Sequence, residues 1–455
     1  MATIKNKRIS RLLYLVWALG IILLAYLPQK DQFYLILFNY SIVFICYWLI
    51  IHPQNRIRLK SLLLVAVITR LLIIPATPNL TDDFYRYVWD GQLVLSVENP
   101  YEKTPEEWVN SEGDKPTFLD TDLYPHLNSK EYYSVYTPFS QLIFSTGTAM
   151  GRGHSGGAAF WIKVLIVSFD IVLLFVLVPL LRRLKKYPGM VAIYAFNPLV
   201  LLEISGNLHL EGVAVFFLAL ALLYYTGKRG IRTGIMMGLA AGVKIIPIIL
   251  VPLMALARNF KQWFSFSLAA IVTTALLFIP LIFKGSYLNY WESIKLYYQT
   301  FEFNASIYNI VKFIGIKSQG YNWIEVIGPF CSLFFLLFYL IYLIYWRKMK
   351  LEKRNVIDGM VIALSLYFLF QTTVHPWYIL PLVFLASISD WKFPVVWSGI
   401  IILSYSTYQT IPYEENLWIT VISYLVVIAS AIFLDNKRFR QLFKAKENPT
   451  EESYN

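Results

Sequence analysis

The chain has 455 residues, 57% of them hydrophobic and only 15% charged, with a mean hydropathy of +0.54. Soluble domains run nearer about 45–50% apolar and roughly 25% charged, so the composition excludes an ordinary soluble enzyme, a disordered chain and a nucleic-acid-binding domain despite a net charge of +12. At roughly 20 residues per span, the chain reads as an all-α polytopic membrane protein: a single integral-membrane domain over 1–455 with about 12–14 transmembrane helices.

Lys5, Lys7, Arg8 and Arg11 precede an apolar run over 12–27 that has no small-residue cleavage site, which reads as a signal anchor. Further apolar runs lie near 33–51, 61–76, 159–181, 189–205, 209–226, 232–257, 264–283, 323–346, 356–373, 377–389, 393–410 and 417–434. The run 232–257 holds Pro247 and Pro252 and predicts two short or broken helices. Cys46 and Cys331 lie in separate apolar stretches and form no disulfide or metal pattern.

Lys and Arg gather between these runs, at Lys5–Arg11, Arg56–Lys60, Arg182–Lys186, Lys228–Arg232, Arg258–Lys261, Arg347–Arg354, Lys392 and Lys437–Lys446. All of these share one side if 232–257 enters and returns, and the positive-inside rule makes that side cytoplasmic, with both termini there. The tail 435–455 is then cytoplasmic, its last residues unordered. The external side receives 77–135 and 284–322. The first segment carries twelve of the 28 acidic residues, and a loop of that length without an apolar core of its own usually has a function. The short apolar run 136–150 reads as re-entrant or interfacial, so that the external catalytic loop extends over 77–158.

That loop opens with Thr81-Asp82-Asp83-Phe84-Tyr85-Arg86-Tyr87-Val88-Trp89-Asp90-Gly91, followed by Glu98-Asn99-Pro100-Tyr101. A helix over 82–95 puts Asp82, Arg86 and Asp90 on one face at i, i+4 spacing. One reading is a charge ladder on an interfacial helix, with about 0.3–0.5 kcal/mol per exposed pair. The other is a carboxylate held at the membrane surface for chemistry. Lys244 interrupts an apolar run, and an intramembrane Lys is costly enough to have a partner or a task unless it snorkels. Arg70, in the third span, pairs with an acidic residue of the loop or snorkels. His209 and His375 fall at external helix ends, as interfacial hydrogen-bonders or substrate contacts. Trp377 and Tyr378 either stack on sugar or belong to the aromatic belt.

Asp82, Asp83, Tyr85, Asp90-Gly91 and Asn99-Pro100-Tyr101 resemble the first external loop of the GT-C superfamily of integral-membrane glycosyltransferases. The closest likeness is to bacterial polyprenyl-phosphate-mannose-dependent mannosyltransferases, and a more distant one is to GPI-anchor mannosyltransferases. Tyr136-Thr137-Pro138-Phe139 resembles the family's Tyr-Pro-Pro segment, with Thr137 in place of a proline. Asn197-Pro198-Leu199 and Gly206-Asn207-Leu208-His209-Leu210-Glu211 resemble its next external turn, where Glu211 departs from the usual Asp. Gly242-Val243-Lys244-Ile245-Ile246-Pro247, Phe303-Asn304-Ala305-Ser306 and His375-Pro376-Trp377-Tyr378 continue the likeness to about residue 380.

The resemblance implies a glycosyltransferase that moves a sugar, mannose in the nearest relatives, from an external polyprenyl-phosphate donor to a glycolipid or glycan acceptor, with inversion at the anomeric carbon. Such chemistry needs a carboxylate base, positive or hydrogen-bonding groups at the leaving phosphate and an apolar groove for the lipid. Asp82 is the first candidate for the base and Asp83 the second. Arg86, Tyr85, Lys244, His209, His375 and Asp90 are candidates for substrate and phosphate. A divalent cation, Mg or Mn, on Asp82 and Asp83 stays open. The implied partners are the lipid-phosphate sugar, the acceptor and membrane lipid, with no nucleic acid, in a bacterial inner or plasma membrane. The rival reading is a lipid-linked sugar flippase or other transporter, which places ionisable residues at the midplane in two related halves.

Overall fold

The computed structural model describes residues 7–52, 58–113, 115–257, 259–349 and 355–443. Parts of the basic clusters at Lys5, Arg56, Arg258 and Lys350–Arg354, and the tail beyond Phe443, lie outside the described residues. Two antiparallel helices, α1 (Lys7–Tyr26) and α2 (Phe33–Ile50), precede α3 (Leu59–Ile73). The long loop then holds α4 (Asp83–Leu95), α5 (Pro105–Asn110) and α6 (Pro138–Met150) before α7 (Ser155–Arg183). A bent passage follows through α8 (Val191–Ala195), α9 (Pro198–Val200) and a π-turn over 201–206, and leads to α10 (Glu211–Thr226) and α11 (Gly230–Val243). The remaining helices are α12 (Val251–Leu256), α13 (Phe260–Phe278), α14 (Ser286–Gln299), α15 (Ile307–Gln319), α16 (Ile324–Lys348), α17 (Val356–Phe370), α18 (Leu380–Ile388), α19 (Phe393–Ile400) and α20 (Leu417–Phe443). Among the described residues, the single β pairing is a parallel bridge between Phe303 and Thr373.

Five of these helices are long and apolar enough to cross a membrane, or six if the passage 188–206, bent by 57°, counts as one span. Six shorter apolar helices fill further expected runs. α13, α16 and α20 present Leu268, Ile271, Leu276, Leu333, Leu337, Ile341, Leu425 and Ile432 outward. Apolar surface of that extent faces lipid rather than water; the chain is an all-α, multi-pass membrane protein. The run 232–257 breaks as its prolines require, with α11 ending at Val243 and a short helical stretch resuming from Ile246 through α12.

Two devices place the loop side of the bundle. In α11, Gly234, Gly238 and Gly242 form a stripe against α13. A Cβ at Gly238 would stand 2.6 Å from Thr273 Cβ and 2.8 Å from the Ala270 carbonyl oxygen, so the two helices approach as only a small-residue face allows. The Asn99-Pro100-Tyr101 turn is a clasp. Asn99 Oδ1 accepts from Tyr101 N, its Nδ2 donates to Ser286 Oγ at 2.6 Å, and Asn289 Nδ2 donates to the Tyr101 carbonyl at 2.9 Å. The motif thereby fixes α14 to the long loop. α5 starts on a capping box between Thr104 and Glu107, with Pro105 in its first turn.

Candidate active site

A cavity of about 1110 Å³ opens where α4, α14, α16, α17, the break after α11 and the segments 371–378 and 407–415 meet. One set of its lining residues is polar: Lys30, Asp82, Asp83, Asn128, Lys244 and Tyr413. Another set is apolar and comes from the α11–α12 break, α16 and α17: Ile245, Ile246, Ile249, Phe335 and Tyr367. α14 contributes Trp291, Ile294, Lys295 and Gln299.

The carboxylates sit where α4 begins. Asp82 is the residue before the helix and makes no capping bond; its carboxylate forms an ion pair with Lys30. Asp83 opens the helix, and its Oδ1 accepts from Asn128 Nδ2 at 3.0 Å. Burial raises the proton affinity of Asp83 above the ordinary aspartate range; the Asn128 hydrogen bond and the charge of Lys244 offset part of that rise. On Lys30, burial works against the charge, but hydrogen bonds and attraction from Asp82 and Tyr413 outweigh it and raise the pKa. The ammonium stays charged.

Lys244 follows directly on α11, with an extended backbone that turns its side chain toward the cavity. Its Nζ lies 3.0 Å from Glu211 Oε1, and 26% of the side chain remains accessible. The intramembrane Lys therefore has a partner and an open side. His375 lines the same cavity, held by the strand-like bridge at Phe303 and Thr373. Burial and the charge of Lys244 push its pKa down to about 3, so its imidazole is neutral. Its buried Nδ1 has no hydrogen-bond partner.

Other nominated residues take different places. Arg86 lines the cavity but is bound on several sides: Nε to Asp90 Oδ1 at 2.7 Å, and one terminal nitrogen to the carbonyls of Ser129 and Tyr132 at 2.9 and 3.0 Å. Asp90 is fully buried away from the cavity, where Ser134 and Gln141 donate to its second oxygen at 2.5 and 2.8 Å. The i, i+4 pair thus pins the loop and α6 onto α4, while Asp82 turns aside to Lys30. Tyr85 stacks on His126, meets Phe84 at a tilt and is not part of the lining. His209 lies behind the wall, 3.2 Å from Glu203 Oε2 and stacked on Trp377 at 3.7 Å. His375 also stacks on Trp377, at 4.3 Å. Both imidazoles claim the indole ring, so Trp377 is a wall between them. Arg70 pairs with Asp170 of α7, not with the loop.

Lys30, Asn128 and Tyr413 belong to the polar set without having stood out in the sequence. Lys30 had one available signal: it is the cation in the short turn between the first two apolar runs, a turn that alternation of spans puts on the side of the long loop. As to metal, Asp82 carries an ammonium and Asp83 an amide, and among the described residues no three His, Cys, Asp or Glu side chains converge. Magnesium and manganese prefer about six oxygen ligands, of which these two carboxylates would supply only a part.

Among families, the one described as alpha-(1->6)-mannopyranosyltransferase, N-terminal domain, matches residues 14–259. No curated protein matches the chain. The matched segment runs from α1 through α12, more than half of the chain, and includes Lys30, Asp82, Asp83, Glu211 and Lys244. The chain belongs to the MptA_B family of GT-C type mannosyltransferases.

Proposed function

We propose that the protein is an inverting mannosyltransferase that moves mannose from a polyprenyl-phosphate donor to a glycolipid or glycan acceptor on the external side of the membrane. The observation that carries this reading is a single cavity that joins a carboxylate pair, the cation Lys244 and an apolar trough. A lipid-linked sugar phosphate has the same three parts in the same company. The family description adds an α-(1→6) linkage. With inversion, an α product requires a β-linked mannosyl donor, and a 1→6 bond requires a primary hydroxyl as nucleophile.

In this mechanism a carboxylate accepts the proton of the acceptor hydroxyl while its oxygen bonds to the anomeric carbon. The bond from that carbon to the phosphate oxygen breaks, and the phosphate leaves with the electron pair. Lys244 meets the negative charge on the phosphate. Burial raises the proton affinity of Asp83, while Asp82 is engaged in an ion pair with Lys30, so the base assignment passes to Asp83 and Asp82 orients the donor sugar. The trough of Ile245, Ile246, Ile249, Phe335 and Tyr367 takes the first isoprene units. The positive-inside rule applied to the basic clusters supports a cytoplasmic side for the termini.

The test uses purified protein in lipid, polyprenyl-phosphate-[14C]mannose and a total membrane-lipid and glycan extract, with wild type set beside Asp82→Asn and Asp83→Asn. Label moving to an acceptor in wild type and failing in Asp83→Asn supports the reading. Donor that crosses the bilayer without transfer, equally in wild type and variant, makes the protein a flippase instead.

A further inference from the structure

The cation beside the carboxylate pair comes from the chain itself. Lys30 lies in the turn between α1 and α2, and that turn is tied to the segment before α4. Tyr26 OH donates to the Leu72 carbonyl at 2.8 Å, Asn79 Nδ2 donates to the Tyr26 carbonyl at 3.4 Å, and Gln32 Oε1 accepts from Gln29 N at 3.1 Å. Deeper in α1, Trp17 Nε1 donates to the Phe196 carbonyl at 3.0 Å. From this anchored turn the ammonium pairs with Asp82 and stands 5.5 Å from the centre of the Tyr413 ring. Tyr413 in turn packs on Tyr408 at 5.2 Å. One charge thus joins three stretches of chain at the cavity: 27–32, 79–83 and 408–413.

We propose that Lys30 is the built-in cation of this site, standing at Asp82 where a divalent metal would otherwise stand, so that mannosyl transfer runs without a metal. The inference rests on the reading of the cavity as the transfer site. A dication brought to Asp82 would meet the ammonium already in contact with the same carboxylate, and at that range like charges repel strongly even in a partly aqueous site. Asp83 has one oxygen committed to Asn128, which leaves the pair fewer oxygens to offer a metal. Lys30 is a positioning residue. It fixes the carboxylate that faces the donor and closes the cavity against the 408–413 segment.

Three measurements on the full-length protein in lipid test this. Transfer is followed with and without excess EDTA, and with added Mn2+. Binding of Mn2+ is read by electron paramagnetic resonance on wild type, Asp82→Asn and Lys30→Met. Turnover and donor KM are compared for wild type, Lys30→Met and Lys30→Arg, each checked for a cooperative melt. The expected result is transfer unaffected by EDTA and no Mn2+ uptake by wild type. For Lys30→Met, kcat drops by about 10–100-fold, as for lost orienting groups elsewhere, with donor KM little changed. Lys30→Arg, which keeps the charge, recovers most of the loss. Three outcomes would overturn the proposal: loss of transfer in EDTA with recovery on Mn2+, Mn2+ uptake by wild type that Asp82→Asn removes, or a well-folded Lys30→Met that turns over like wild type. If wild type transfers no mannose under any condition, the mannosyltransferase reading fails separately. The Mn2+ measurement still decides Lys30: uptake dependent on Asp82 rejects it, and absence of uptake supports it.

Discussion

Asp83 holds its proton more tightly than a free aspartate because burial disfavours the anion by more than Asn128 and Lys244 restore. A general base acts when deprotonated, so transfer is present above the raised pKa and falls away as pH drops through it. The acidic limb of the pH–rate profile is therefore expected above about 3.9, the ordinary aspartate value. Asp83→Asn is expected to lower kcat by about 100–10,000-fold, the usual contribution of a positioned base, and Asp82→Asn by less. A limb that persists in Asp82→Asn, moved to lower pH because the charge of Asp82 no longer raises the Asp83 pKa, identifies Asp83 as its source; a limb that vanishes in Asp82→Asn removes Asp83 from the role. His375 contributes no limb near neutrality, since its pKa lies at about 3. At this scale the sequence was most readable where a residue broke a rule. Two acids at the exit of a span and a lysine inside an apolar run are costly unless used, and Asp82, Asp83 and Lys244 all line the cavity. Asp90 and His209 looked equally exceptional, yet their partners are set by tertiary contacts. Ser134 and Gln141 come from 44 and 51 residues away along the chain, and Trp377 from a different helix altogether. Spacing along one helix cannot tell a buried staple from a ligand.

At the scale of elements, the site depends on where α11 stops, because Lys244 is the next residue. Its position is set by the glycine face toward α13. A methyl group at Gly238 would press on both Thr273 and the Ala270 carbonyl, and a helix backbone does not yield cheaply. Gly238→Ala is expected to destabilise the fold by about 1–3 kcal/mol, the range for overpacked interfaces, and to raise donor KM as Lys244 shifts. Thermal melting in detergent and donor titration check the two effects. A variant with unchanged melting and KM would mean that α11 and α13 slide apart without consequence. The break at 244–247 was legible from Pro247 and Pro252, since proline cannot continue the helical ladder. The glycine stripe, at positions i, i+4 and i+8, gains its meaning only from its partner: pairing of α11 with α13 across the intervening break is a tertiary fact. The short turn at Lys30 stayed unread for a related reason. Six residues between two spans carry no periodicity, and only the fold brings them over α4.

For the whole molecule, the question is whether buried charge inside the bundle moves or holds. Arg70 and Asp170 are both fully buried, with Arg70 Nε 2.6 Å from Asp170 Oδ2. Tyr194 donates to the other carboxylate oxygen at 2.8 Å, and Arg70 donates to the Ala195 carbonyl at 2.9 Å. The pair ties α3 and α7 to α8 and lines no part of the cavity. A transporter would need such charges to exchange partners as it cycles, whereas here the two charges are paired with each other within a packed core, with one terminal nitrogen of Arg70 left without a hydrogen bond. Removing one partner leaves the other charge stranded, which typically costs about 3–5 kcal/mol, while replacing both with apolar side chains of similar volume is often neutral. Asp170→Asn is therefore expected to melt well below wild type, and the double change Arg70→Met with Asp170→Leu to regain most of the difference. Transfer per folded molecule should be the same in the double variant as in wild type, because the proposed chemistry is placed at Asp82, Asp83 and Lys244, which line the cavity. If the double variant folds as well as wild type yet transfers nothing, the pair takes part in moving substrate, and the division of the molecule into a static bundle and a reactive cavity fails.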